Sequence, residues 1–188
     1  MKIDLDNSIK ERLQAAKNIL IVSHVRPDGD AIGSLLALGL ALIGSGKHVE
    51  MVLSDGVPSS FKHLPGSERI LRTQKKSADL SIVVDCSDLK RVGKALDGYG
   101  APDIVVDHHF TNGAFGSLNL IEAKAPATSS ILAAHLSAWG LTITPEVAAN
   151  LLTGIVTDTL GFRTINTTPQ SLRQAADLME LGANLSNL

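Results

Sequence analysis

Four short runs rich in valine and isoleucine constrain this chain more than any other feature. They are NILIVSH (18–24), HVEMVLSD (48–55), LSIVVDCSD (80–88) and DIVVDHH (103–109). Each is apolar almost throughout and ends on polar residues, the pattern of a strand buried on both faces. Between and after them run segments with helical patterning: 30–46, 88–96, 127–140, 144–159 and 167–183. Thr144-Pro145 and Thr168-Pro169 supply a cap and a first-turn proline for the last two. Alternating strands and helices of this kind predict an α/β domain. We expect an open, doubly wound, mostly parallel sheet with helices on both faces. The stretch 110–126 reads as an irregular loop over the end of the sheet, and 1–188 as a single domain.

Composition narrows the function classes. Hydrophobic residues make up 44% and charged residues 19%, enough apolar side chain for a real core. The net charge is −2 and no block of lysine or arginine is present, which argues against strong nonspecific binding to a nucleic-acid backbone. A small nucleotide remains open as a substrate, since a metal can supply positive charge. The single cysteine, Cys86, excludes an internal disulfide. The start, MKIDLDNSIKERL, is amphipathic and not a signal peptide, and no apolar run reaches the roughly 18 residues of a membrane helix. The expected location is the cytoplasm, with no membrane partner.

Ligands of an open parallel sheet bind beyond the carboxyl ends of its strands. The polar residues collect at those ends: His24, Asp28 and Asp30 after the first, Asp85 and Asp88 at the third, and Asp107, His108 and His109 at the fourth. Asp158, in TDT, adds a carboxylate from the 144–163 region. Taken singly, each has an ordinary explanation. Asp-x-Asp forms turns, Asp88 can cap the helix that follows it, and an adjacent histidine pair is more often incidental. Their joint placement at one rim outweighs this. Carboxylates crowded together raise one another's pKa, and a divalent cation removes that cost. Oxygen donors with a minority of imidazoles suit Mn²⁺ or Mg²⁺ ahead of Zn²⁺ and Fe²⁺. The donors outnumber what one ion takes, so two ions sharing Asp85 is the economical arrangement. Such pairs, about 3.5–4 Å apart, serve phosphoryl chemistry. His48, His63 and His135 read as surface or satisfied core. Cys86 reads as a small buried filler, and Met51, Met179 and Trp139 as core.

At this point the chain resembles the DHH phosphoesterase family, named for the triplet standing here as Asp107-His108-His109. HVRPDGDAIGS resembles its first motif, VVDCSD the second, VVDHH the third and TDTLGF the fourth, in the same order and spacing. The family includes RecJ-type single-strand exonucleases, oligoribonucleotide and pAp phosphohydrolases, cyclic-dinucleotide phosphodiesterases and family II pyrophosphatases. The resemblance implies a two-metal phosphohydrolase acting on a nucleotide or a short single-stranded oligonucleotide. One ion would be held by His24, Asp28 and Asp85, the other by Asp30, Asp85, His108 and Asp158. Asp107 would orient its neighbours without binding metal, and His109 would meet the scissile phosphate as a ligand or general acid. Arg26 and Arg163 are implied phosphate contacts, each with a structural alternative. Gly33 and Ser34 would let a helix start close to the site, where its N-terminal amides favour anions.

One departure stands out. Relatives that cleave oligonucleotides continue into a second domain with a Gly-Gly-Gly-His-like motif, and no such motif occurs here. The chain thus resembles the metal-bearing N-terminal domain alone, with the C-terminal substrate-binding domain missing. Metal binding is expected to be intact and turnover on oligonucleotides weakened or lost. A family II-like pyrophosphatase, or a metal- or nucleotide-binding fragment without turnover, are the competing readings. A phospho-acceptor signalling domain is disfavoured, because it needs a lysine near the last strand and none follows Lys124. If two copies pair as a homodimer, the helices near 127–159 are the expected surface.

Overall fold

The computed structural model describes residues 4–187. Its centre is a five-stranded parallel sheet: β1 Asn18–Val22, β2 His48–Val52, β3 Leu80–Val84, β4 Ile104–Asp107 and β5 Leu118–Ile121, in the order β2-β1-β3-β4-β5. All five residues of β3 are buried, as are Ile19, Leu20, Ile21 and Val22 of β1. Burial on both faces is why these strands are continuously apolar instead of alternating.

Five α-helices pack on one face: α1 Leu5–Ala15, α2 Gly29–Gly44, α3 Thr128–His135, α4 Pro145–Asp158 and α5 Pro169–Glu180. They bury Ile19, Ile21, Ile82, Val84, Ile104 and Val106. On the opposite face Leu20, Val22, Val83 and Val105 lie under Val92, Ala95 and Leu96 of a 3-10 segment, Leu89–Leu96. From β1 the chain crosses through α2 to β2, and from β3 it crosses through the 3-10 segment to β4, in the opposite direction. The carboxyl ends of β1 and β3 therefore border the crevice where the winding reverses, the place such folds use for ligands. No helix among the described residues is long and apolar enough to cross a membrane.

Helices α2 and α4 approach closely enough to exclude side chains between them. A Cβ on Gly33 would lie 2.5 Å from the Asn150 carbonyl oxygen, and one on Gly154 would strike the Ser129 side chain and stand 2.5 Å from Asp30 Oδ1. This contact brings the start of α2, with Asp28 and Asp30, beside the end of α4, with Asp158. Replacing Gly33 by alanine is expected to force the helices apart and cost about 1–3 kcal/mol of stability, the usual range for overpacking. Urea unfolding measures it, and an unchanged midpoint would mean that the contact yields freely.

The structure corrects several expectations. The 110–126 stretch is not only loop, because residues 118–121 form β5, paired in parallel with β4. It is a short edge strand with only Leu120 buried, too little apolar sequence to stand out. The 88–96 helix is a 3-10 segment broken at Gly93, whose φ of +67° only glycine adopts without strain. Met51 is core, but Met179 is 46% exposed on the outer side of α5. Helices α3 and α4 are largely buried, with α4 packed against α2, α3 and α5, so they are not the exposed pairing surface expected for a dimer. Trp139 is buried, and its indole N–H donates to Asp6 Oδ1 at 2.8 Å. His135 is satisfied by Asp6 and Glu122, while His48 and His63 are exposed.

Candidate metal centre

The turn after β1 is built by its own acidic residue. Asp28 caps α2, its Oδ1 accepting from the backbone N–H groups of Asp30 and Ala31 at 3.1 and 3.0 Å. Its other oxygen, Oδ2, lies 3.7 Å from His24 Nε2. The turn-forming reading and the site reading of this residue are both true, one per oxygen. The capping corrects one expectation: these α2 amides are taken by Asp28 and are not presented to a ligand.

Asp85 follows β3 directly and is buried, with a left-handed φ of +53°. Its Oδ2 lies 3.6 Å from His24 Nε2, and its Oδ1 lies 3.7 Å from His108 Nε2 and 3.8 Å from His109 Nδ1. One carboxylate thus faces a separate group with each oxygen. His24, Asp28 and Asp85 converge on one side. Asp30, His108 and Asp158 converge on the other, with His108 Nε2 3.4 Å from Asp158 Oδ2. A third grouping, Asp85 with His108 and His109, overlaps the second.

Two of the three histidines are oriented alike. His24 Nδ1 lies 2.8 Å from the Val25 carbonyl and His108 Nδ1 lies 3.3 Å from the Ala125 carbonyl. A carbonyl only accepts, so each Nδ1 carries the proton and each Nε2 keeps its lone pair toward the carboxylates. His109 Nδ1 is bonded to Asp107 Oδ1 at 2.7 Å. Asp107 is fully buried, and its other oxygen accepts from Asn112 Nδ2 at 2.6 Å.

Asp30 is gripped from α3. Its Oδ2 accepts from the Thr128 N–H at 2.6 Å, and its Oδ1 accepts from the Ser129 N–H at 2.9 Å and the Ser34 hydroxyl at 3.2 Å. Burial, then repulsion from Asp85, still holds Asp30 well above the usual carboxylate range. Asp158 is raised by burial, with His108 opposing and Asp85 adding. Burial also pushes Asp85 upward, but His24, His108 and His109 outweigh it and its pKa is lowered. Burial pulls His24 down, yet Asp85 and the Val25 carbonyl leave it raised; His109 is raised chiefly by its bond to Asp107.

The donor set fits hard or borderline divalent cations. Two ligands bound at about 2.1 Å to one ion lie roughly 3–4 Å apart. The spacings of 3.4 to 3.7 Å between Nε2 and carboxylate oxygens fall in that range. No sulfur joins them. Cys86 is buried, its thiol donates to the Asp88 carbonyl at 3.1 Å, and burial pushes its pKa up to about 11.

Comparison with known proteins places this arrangement. The DHH family, N-terminal domain, matches residues 18–155. The chain belongs to the DHH family. It is 37% identical over 184 residues to the bifunctional oligoribonuclease and PAP phosphatase NrnA of Thermus thermophilus, a match covering 96% of this chain and 55% of that protein. It is 25% identical over 159 residues to a manganese-dependent inorganic pyrophosphatase of Methanothrix thermoacetophila, covering 79% and 49%. An exopolyphosphatase-related protein from Bacteroides fragilis superposes with a TM-score of 0.90 at 28% identity, covering all of this chain and 60% of that one. The chain thus spans about half to three-fifths of the length of these relatives.

In this DHH domain the seven predicted ionisable groups converge: His24, Asp28, Asp30, Asp85, His108, His109 and Asp158. The two predicted arginines do not join them by any polar contact. Arg26 is exposed in a left-handed turn pinned by its N–H to Asp55 Oδ2 at 2.6 Å. Arg163 is exposed and its Nε donates to the Leu160 carbonyl at 2.8 Å. Three supporting residues, Thr128, Ser129 and Asn112, escaped the sequence reading, as did the hydrogen-bonding role of Ser34. Thr128 donates its hydroxyl to Asp85 Oδ1 at 3.0 Å, Ser34 and Ser129 share a hydrogen bond of 2.9 Å beneath Asp30, and Asn112 fixes Asp107. The only sequence signal was the run Thr128-Ser129-Ser130 opening a helix.

Proposed function

We propose that this chain is the metal-bearing domain of a divalent-metal-dependent phosphohydrolase acting on phosphoester bonds of nucleotides or short oligonucleotides. The observation carrying this reading is Asp85, whose two oxygens face two separate His/Asp groups. His24, Asp28 and Asp85 would hold one ion, and Asp30, Asp85, His108 and Asp158 the other. Mn²⁺ is the first choice, Mg²⁺ the second, consistent with the oxygen-rich donor set. Two such ions, when bound, neutralise phosphoryl oxygens and make water a stronger nucleophile.

The protein's own groups do the rest. The Val25 and Ala125 carbonyls lock the tautomers of His24 and His108, and outer hydrogen bonds of this kind commonly set ligand basicity. Thr128 steadies the shared carboxylate, and the first amides of α3 hold Asp30. Asp107 orients His109 through Nδ1 and stabilises its protonated form, leaving Nε2 to contact the scissile phosphate and deliver a proton to the departing oxygen. The NrnA relative, by its name an oligoribonuclease and PAP phosphatase, supports nucleotide substrates.

The test is metal analysis followed by hydrolysis of pAp, a dinucleotide, cyclic di-AMP and pyrophosphate with added Mn²⁺. We expect two ions per chain and cleavage of a nucleotide substrate, weak on oligonucleotides for the 188-residue chain and stronger in a protein spanning the relatives' full length. Phosphate release from pyrophosphate far above that from nucleotides would favour the pyrophosphatase reading. Two bound ions with no turnover of anything by either protein would sink the enzyme reading.

A further inference from the structure

Beside the metal centre, on the face that carries the 3-10 segment, lies a cleft of about 450 Å³ that the site above does not use. That volume is ample for a small ligand group. Its walls are the continuations of the two strands that supply the site. Ser87 lies two residues past Asp85, and Thr111 two residues past His109, and both line the cleft. Leu89 and Phe115 provide apolar surface, and Asp88 and Arg91 complete the rim.

Arg91 is the distinctive group. Its backbone is tied to the site, since its carbonyl accepts from the Val25 N–H at 2.7 Å, one residue after His24. Its guanidinium is exposed and makes no ion pair or hydrogen bond among the described residues; Arg26, Arg72 and Arg173 are likewise unpaired, but Arg91 alone of these four lines the cleft beside the site. Its charge reaches the centre, where it opposes the upward shifts of both His109 and Cys86 without reversing them. Asp88 forms no ion pair with it, its side chain capping the segment through the Lys90 N–H at 2.9 Å. Lys90 and Lys94 stand exposed on the same segment. A cationic edge therefore borders an acidic centre in a chain of net charge −2.

We propose that Arg91 and this cleft form a subsite for a second, non-reacting phosphate of the substrate. Guanidinium recognises phosphate with two parallel hydrogen bonds, and the Ser87 and Thr111 hydroxyls add donors. The group bound is a phosphomonoester or phosphodiester one step from the reacting phosphate. It comes from a nucleoside bisphosphate or from the next link of a short strand. The subsite rests on the nucleotide reading above, and its own test separates the two.

The experiment compares wild type, Arg91→Ala and Arg91→Lys as manganese-loaded full chains, with matched thermal unfolding as the fold control. The substrates are pAp, a 5′-phosphorylated dinucleotide and bis(p-nitrophenyl) phosphate, which has a single phosphate. Arg91→Ala is expected to raise KM about 10-fold or more on substrates with a second phosphate, at nearly constant kcat. Arg91→Lys should recover part of this, and the single-phosphate ester should be unaffected. An effect on pAp alone assigns the site to the bisphosphate, and an effect on the dinucleotide alone assigns it to the strand. Equal effects on all three, or none, overturn the subsite. Calorimetry with pAp and AMP supplies the independent arm. Should nothing be hydrolysed, a wild-type preference for pAp that vanishes in Arg91→Ala keeps the subsite while the hydrolase reading falls. A preference that survives the substitution overturns it.

Discussion

Replacing Asp85 by asparagine is expected to take bound manganese from two ions per chain to none after desalting. The reason is geometric. Asp85 Oδ2 faces His24 and Asp28, and Asp85 Oδ1 faces His108, so one carboxylate serves both groups. Asparagine keeps the shape and tolerates the left-handed φ of +53°, so the backbone after β3 is not the variable. What is lost is the charge that offsets two imidazoles and closes both donor sets. Partners one bond further out commonly cost about 10–100-fold in metal affinity, so a shared direct ligand should cost more than about 100-fold. Metal content by elemental analysis measures the effect directly. Thermal unfolding supplies a second measurement, because Mn²⁺ should raise the midpoint of the wild type and not of the variant. Retention of one tightly held ion per chain would show that Asp85 belongs to one group and is not shared.

The second large effect is expected at His109. Its Nδ1 is engaged by Asp107 at 2.7 Å, in contrast to His24 and His108, whose Nδ1 atoms bond carbonyls and whose Nε2 atoms face carboxylates. On that difference rests the proposal that His109 meets the phosphate and does not bind a metal. His109→Ala should lower kcat by about 10²–10⁴, the span for loss of a positioned proton donor, while two ions per chain remain. The rival geometry is the grouping of Asp85, His108 and His109. If His109 were a ligand, the variant would lose metal together with activity. Measuring metal content and kcat on the same sample distinguishes the two.

The seven converging groups were legible because each is an ionisable residue at a place where an apolar run ends. A strand buried on both faces has no reason to close on His-Val-Arg-Pro-Asp or Asp-His-His unless its end lies at a surface that uses them. Arg91 was not legible in this way. It sits in Leu-Lys-Arg-Val-Gly, which reads as the polar side of an ordinary helix, and only the break at Gly93 and the docking of its carbonyl on Val25 place it beside the centre. The hydroxyls of Thr128, Ser129 and Ser34 were hidden for a related reason. Small polar residues at a helix start have a sufficient local explanation as helix formers or caps, and their long-range partners lie 43 to 99 residues away.

By itself, the sequence determined the parallel α/β class and the roster of acidic and imidazole donors. Both follow from local pattern: apolar runs that must be buried, and charged residues that cannot be buried without partners. Tertiary structure alone decided the division of labour among them. It split Asp28 between capping α2 and facing His24, turned one oxygen of Asp85 to each group, and brought Asp158 to Asp30 through the glycine contact of α2 and α4. Sequence cannot specify which oxygen points where. That depends on the separation and rotation of packed elements, which long-range contacts set.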